Sequence, residues 1–355
     1  MQKSGNPLTS RPIPKLFQEQ LDKFSKESTR ARPVEKFDPN STIEKLKNLE
    51  SEKVIAIDIG GNKIESAVFE VKKNDLEQDK TKSQTFHSSL GKDYLEFMEK
   101  ISGSADLSNT PIGISFAGPL EATKPIEGPN IPMLMSELKN KYRGDFAQLF
   151  PTLKAVVNDA VAGIIAGSMY AQKAKPKSSN IIFIINGSGI GGSVLKGGEI
   201  FSAEPGHVDI IPKLNQYHQT DPCQFTGNVC IENVAAGRAG IEDIWEKQTG
   251  KNQEGPEIAN EMENGNELAI ALYDNSALLT AHAAIGLAKS FDLLKTPQDT
   301  TAVFHGGVLL VPGYATRVKQ IMQKYLGFEP QFLVTSDFSP NACLDGAAIA
   351  ALSSA

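Results

Sequence analysis

Only three cysteines, Cys223, Cys230 and Cys343, occur in this chain of 355 residues, too few for a disulfide framework to hold a protein of this size. No window approaches the roughly 20 consecutive apolar residues of a membrane span, and the N-terminus lacks the apolar core of a signal peptide. The cytoplasm is therefore the expected compartment, with no membrane partner. Positive charge is not in excess either. The 36 Lys and Arg against 42 Asp and Glu leave a net charge of -6, whereas a nucleic-acid binder needs a basic face. What remains is ordinary globular composition, 40% hydrophobic and 22% charged, on a chain long enough for two domains that each bury a core.

Regular patterning is missing from residues 1–50, where Pro7, Pro12, Pro14, Pro33 and Pro39 break a polar, charge-mixed segment. Phe17, Leu21 and Phe24 stand at helical spacing, enough for one short amphipathic helix. The segment reads as a loosely ordered extension; a docking or oligomerisation arm is the other reading.

From Val54 the pattern changes. Val54-Ile-Ala-Ile-Asp-Ile-Gly-Gly-Asn-Lys63 is a buried strand ending in a glycine turn, where the backbone can approach a bound group closely. Amides of Gly60 and Gly61, with Asn62 and Lys63, can face a phosphate, and Asp58 can hold Mg²⁺ directly or through water. A plain hairpin is the alternative, since residues 64–71 continue as a second strand. The device recurs at residues 180–195, where an apolar strand runs into Asn186-Gly-Ser-Gly-Ile-Gly-Gly192. Two strand–glycine-turn–strand units suggest two related α/β halves facing each other across a cleft, and two such turns can hold a triphosphate from both sides. Gly187, Ser188, Gly189 and Gly191 form the second turn. A third glycine site, Gly306-Gly307, follows the strand at residues 301–304 and leaves room for a base and ribose.

Between the halves, the strand at residues 155–157 ends in Asn158-Asp159 and runs into a helix over 160–174. Asp159 can accept the proton of an attacking hydroxyl, or simply cap the helix. Asn130, in the turn Gly128-Pro-Asn-Ile-Pro132, suits sugar hydroxyls or plain turn chemistry. Glu204-Pro-Gly-His207 brings a carboxylate and an imidazole into one tight turn. Further helices are expected over residues 277–294, 312–324 and 341–352.

Asp58-Ile-Gly-Gly-Asn-Lys63, Gly113-Ile-Ser-Phe-Ala-Gly-Pro119, Asn158-Asp-Ala160, Gly187-Ser-Gly-Ile-Gly-Gly192 and Glu204-Pro-Gly-His207 resemble, in order and spacing, the ROK family of sugar kinases. That group contains bacterial glucokinases and N-acetylhexosamine kinases, and the likeness covers about residues 54–352. It implies an α/β fold of two actin-like, ribonuclease-H-like ATPase domains around a central cleft. The smaller would comprise residues 51–170 and 339–355, the larger 171–338. It implies ATP with Mg²⁺ and a hexose acceptor, glucose first, with an N-acetylhexosamine or fructose as alternatives, and a homodimer. By position, Asp58 serves the metal and phosphates, Asp159 is the base, and Asn130, Asn158, Glu204, His207 and Glu232 hold the sugar. Phosphoryl transfer is mostly positioning and charge neutralisation, so this set is chemically sufficient.

One motif departs from the family's pattern. A structural zinc there is held by the turn histidine and three cysteines, but here the stretch is Cys223-Gln-Phe-Thr-Gly-Asn-Val-Cys-Ile-Glu232, with Phe225 in place of the middle cysteine. His207, Cys223 and Cys230 give three ligands where a closed site wants four, so no zinc site as strong as the family's is expected. Asn62 and Ser188 stand where threonine is usual, each still polar. The rival function is a sugar-sensing regulator of the same fold, which would carry an N-terminal helix-turn-helix segment; the proline-broken first 50 residues argue against it.

Overall fold

The computed structural model describes residues 6–13, 18–73, 75–88, 90–104, 109–128, 130–174, 178–214 and 221–354. Phe17 of the expected N-terminal helix, Pro14 and Pro129 of the Asn130 turn lie outside them. The chain divides into two compact units, one of Lys36–Gln172 with Ser339–Ala355, the other of Met1–Glu35 with Lys173–Phe338.

In the smaller unit, β1 (Lys53–Ile59), β2 (Lys63–Lys72), β3 (Asp75–His87), β4 (Ile112–Phe116) and β5 (Leu153–Asn158) form one sheet. Its order is β3-β2-β1-β4-β5, with β1, β2 and β3 an antiparallel meander and β4 and β5 parallel to β1. The period-2 alternation of β1 sends Ile55, Ile57 and Ile59 into one apolar core with Ile114 and Phe116. The other face carries the small residues. Gly113 pairs with Ala56 in register, and a Cβ on Gly113 would stand 2.0 Å from the carbonyl oxygen of Ala347. Two helices use this closeness, α1 (Asp159–Ala174) and, at the C-terminus, a helix of Ala342–Ser353. A Cβ on Gly346 of the latter would lie 1.8 Å from the Ala162 carbonyl oxygen.

The larger unit repeats the scheme. β6 (Asn180–Asn186), β7 (Ile190–Lys196), β8 (Glu199–Ala203), β9 (Thr300–His305) and β10 (Gln331–Val334) run in the order β8-β7-β6-β9-β10. Again a meander leads into two parallel neighbours. The strand Arg32–Lys36 adds itself beyond β8. Helices α2 (Glu267–Ser290), α3 (Tyr314–Leu326) and the C-terminal helix, now α4, complete the set discussed below. α2 begins ten residues earlier than the sequence suggested. Asn266 caps it by accepting from the Leu268 and Ala269 amides, and its polar stretch is buried rather than helix-breaking: the Ser276 hydroxyl donates to the Ala235 carbonyl and meets the Tyr314 hydroxyl. Among the described residues α2 alone is long and apolar enough to cross a membrane, and it lies in the core of this unit.

The described residues among the first 35 depart from the expectation of a loose extension. Leu8, Leu21 and Phe24 are buried in the larger unit's core. The described arm is mostly turns with few regular hydrogen bonds, and several of its carbonyls are met by donors of the larger unit. Arg317, itself buried, donates to the carbonyls of Arg11 and Pro12 at 2.8 and 3.2 Å and to Asp274 at 2.8 Å, and Lys324 donates to the Ile13 carbonyl. The described part of the expected amphipathic helix is one turn, Gln18–Leu21. Residues 36–50, with the helix Pro39–Lys47, belong to the smaller unit.

Candidate active site

In the smaller unit the chemistry collects at the carboxyl ends of parallel strands, where ligands of open α/β sheets bind. Asp58 closes β1 and Asp159 follows β5, with β4 between them. Asp58 points to the face of Ala56, toward the start of α4. There Asn341 donates from Nδ2 to Asp58 Oδ2 at 2.9 Å and also to Glu65, while its Oδ1 caps the helix by accepting from the Cys343 and Leu344 amides. Burial raises the pKa of Asp58, an effect the Asn341 hydrogen bond opposes. Asp159 is pushed up to about 7 by burial and by the charge of Asp58. It sits in the first turn of α1, where its Oδ1 accepts from the Ala160 amide at 2.8 Å. Asn158 shares that cap, accepting from the Ala160 amide and donating to the Gly118 carbonyl at 3.2 Å.

The turn after β1 is closed by the Gly60 amide on the Lys63 carbonyl at 3.0 Å, with Gly61 partly buried and Asn62 exposed at its tip. The Lys63 ammonium lies 3.0 Å from Glu65 Oε2, so the cation expected at the phosphates is tied to an acid facing Asp58 across the sheet. Asn130 is exposed just before the helix Pro132–Tyr142. Asp58 and Asp159 offer carboxylate oxygens of the kind Mg²⁺ prefers, whereas Glu65 is engaged by Lys63 and Asn341; among the described residues the three-donor group is His207, Cys223 and Cys230, not these acids.

In the larger unit the second turn is built from backbone. The Gly187 amide donates to the Gly189 carbonyl, and the Gly187 and Ser188 carbonyls accept from the Gly237 and Ala239 amides. Glu232 braces the turn: its Oε2 accepts from the Ile190 amide at 2.7 Å, and a Cβ on Gly189 would meet that oxygen at 2.6 Å. Gly191 pairs with Ile185 in the β6–β7 ladder. Gly306 has φ +117°, and a Cβ there would lie 2.1 Å from the Asn186 carbonyl oxygen, so the third glycine site abuts the second turn; exposed Gly307 follows.

Glu204 precedes and His207 ends a 3₁₀ turn, Pro205–His207. The nitrogen and sulfur donors of His207, Cys223 and Cys230 lie within 4.8 Å of one another, with Cys223 Sγ 3.5 Å from His207 Nδ1. The Phe225 ring packs at 4.4 Å from the His207 ring. Burial, then the charge of Arg30, lowers His207 to about 4, and burial pushes the Cys230 thiol up. Three donors fit a metal ion incompletely, since a closed tetrahedral site takes four.

Asn341 and Glu65 were not foreseen. Glu65 is visible as the acid two positions after Lys63, whereas Asn341 is marked only as the cap of a small-residue helix.

The ROK family model matches residues 54–353. An N-acetylgalactosamine kinase, AgaK, of Shewanella sp. (strain ANA-3) is 25% identical over 323 residues, covering 82% of this chain and 94% of the relative. An N-acetylmannosamine kinase of Vibrio cholerae is 25% identical over 304 residues, covering 83% and 98%. Among solved structures, a ROK family glucokinase from Streptomyces griseus in complex with glucose and AMPPNP superposes with TM-score 0.59 at 20% identity, covering 84% of this chain and 99% of that one. Its likeness gives the fold, which is that of the actin-like ATPases. With 300 residues matched by the family model, the chain belongs to the ROK family of sugar kinases.

Proposed function

We propose that this chain is an ATP-dependent hexose kinase in which Asp159 is the general base. The observation that carries this reading is the pair of strand-end carboxylates, with Asp159 pulled up to about 7 beside Asp58. A base of that pKa is half ionised near neutral pH and takes a proton at little cost. In the proposed step Asp159 accepts the proton of a sugar hydroxyl as that oxygen forms a bond to the γ-phosphorus, and the bond to the ADP oxygen breaks. Asp58 is assigned to the cation, directly or through water. Mg²⁺, when bound, supplies neutralisation of the phosphate charge. The Gly60–Lys63 and Gly187–Gly191 turns are assigned to the phosphates, through groups other than the Gly60, Gly187 and Ile190 amides, which already donate to Lys63, Gly189 and Glu232, and Gly306-Gly307 to the nucleoside.

Asn130, Asn158, Glu204, His207 and Glu232 are assigned to the sugar. For Asn158 and Glu232 the assignment is shared with structural work, since each already holds a backbone amide. The first acceptor proposed is glucose. A second reading, an N-acetylhexosamine, is favoured by the two sequence relatives described above, both kinases of such sugars. A coupled ADP-release assay over glucose, mannose, fructose, N-acetylglucosamine, N-acetylmannosamine and N-acetylgalactosamine decides between them. Absence of sugar-stimulated turnover by the intact protein overturns the kinase reading.

A further inference from the structure

The N-terminal arm lies outside the span matched to the family, residues 54–353, yet it touches the turn assigned to the sugar, the segment just after it and the loop packed on His207. The Thr29 carbonyl, on a wholly buried residue, accepts from the Glu204 amide at 2.7 Å. The side-chain amide of Gln20, equally buried, bridges the segment just after His207: Nε2 donates to the Asp209 carbonyl at 3.1 Å and Oε1 accepts from the Ile211 amide at 2.8 Å. Arg30 donates to the Phe225 carbonyl at 3.1 Å, and its guanidinium lies 4.8 Å from the centre of the Phe225 ring. That ring in turn packs on His207.

The arm is itself seated by two glycines of the larger unit. Gly286 lies inside α2, in its last two turns, where glycine weakens a helix. A Cβ there would stand 2.3 Å from the Phe24 ring, which fills the space left free. Gly313, at φ +82°, leaves room in the same way for the Asn6 side chain.

We propose that the arm is a positioning element for the sugar-binding turn, fixing Glu204 and His207 from behind, with Arg30 on Phe225 ordering the 223–230 loop that an incomplete ligand set cannot order by metal. The proposal rests on the assignment of Glu204 and His207 to the sugar. Gln20 and Arg30 are positioning residues, acting through the turn.

The test uses the full chain and the variants Arg30→Ala, Arg30→Lys and Gln20→Leu. Arg30 is exposed, so its variants fold whatever becomes of Gln20→Leu. The first readout is the rate at which Ellman's reagent labels each cysteine, with Cys343 of the other unit as internal standard. The second is KM for the best sugar against KM for ATP. Arg30→Ala is expected to speed labelling of Cys223 and Cys230 about fivefold or more, with Cys343 unchanged. It should raise the sugar KM at least threefold while the ATP KM stays within twofold. Arg30→Lys, which keeps a cation over the ring, falls between it and the parent. Unchanged labelling overturns the proposal, and so does an unchanged sugar KM. A parallel rise in Cys343 labelling and ATP KM shows general loosening and overturns it too. If the intact protein phosphorylates no sugar, the kinase reading fails on that result, and labelling alone decides whether the arm braces the loop.

Discussion

Asp159 and Asn341 carry opposite lessons about single residues. Asp159 ends an apolar strand inside a recognisable motif, so its candidacy is legible; its perturbation is not, because the neighbours that desolvate it come from other elements. Replacing it by Asn removes the base and leaves the shape, and kcat should fall by about 10²- to 10⁴-fold or more, read by single-turnover kinetics with the best sugar. In the parent, kcat/KM should fall about tenfold per pH unit below about 7, because only the ionised carboxylate accepts a proton. Asn341 was illegible because its link to Asp58 spans 283 residues. Asn341→Ala loses a helix cap, about 1 kcal/mol, and leaves two carboxylates without their shared donor, so urea unfolding should show a loss of about 2 kcal/mol or more.

At the level of elements, the glycine turns and the strands around them were readable from short-range pattern, since alternation and turn chemistry are local. Close helix packing was only hinted at by small residues. Gly346→Ala tests it. The new Cβ would lie 1.8 Å from the backbone oxygen of Ala162, and backbone cannot rotate aside as a side chain can. The expected cost is about 3 kcal/mol, read by urea denaturation, whereas the usual Gly→Ala change within a helix stabilises. The order of the arm is not legible for a related reason: sequence shows its prolines and its few apolar residues, but not the long-range hydrogen bonds of Arg317 to Arg11 and Pro12 and of Gln20 with Asp209 and Ile211. Metal is the third test at this level. With Phe225 in the fourth position, the protein should hold less than one equivalent of zinc after dialysis against a chelator, by elemental analysis, and its Tm should not move.

Across the whole molecule the repeated sheet order in the two units was foreshadowed by the repeated strand–glycine-turn–strand pattern, while the balance of buried titratable groups was not. Burial raises Asp159 from 3.8 to about 7, and burial lowers His282, in the middle of α2, from 6.5 to about 3. The signs oppose each other. Between pH 4 and 6.5 the folded chain holds a proton on Asp159 that the unfolded chain releases, so this group loses stability as pH rises from about 4 to 7. In the same window the unfolded chain holds a proton on His282 that the folded chain refuses, so this group loses stability as pH falls below about 6.5. One proton each way leaves their combined slope near zero. Removing either should expose the other at about 1.4 kcal/mol per pH unit. Relative to the parent, Asp159→Asn should therefore become progressively less stable on acidification from pH 6.5 to 4.5, and His282→Leu progressively more stable. Urea unfolding at three pH values reads both trends. Parallel profiles for parent and variants would mean that neither group is perturbed by its burial.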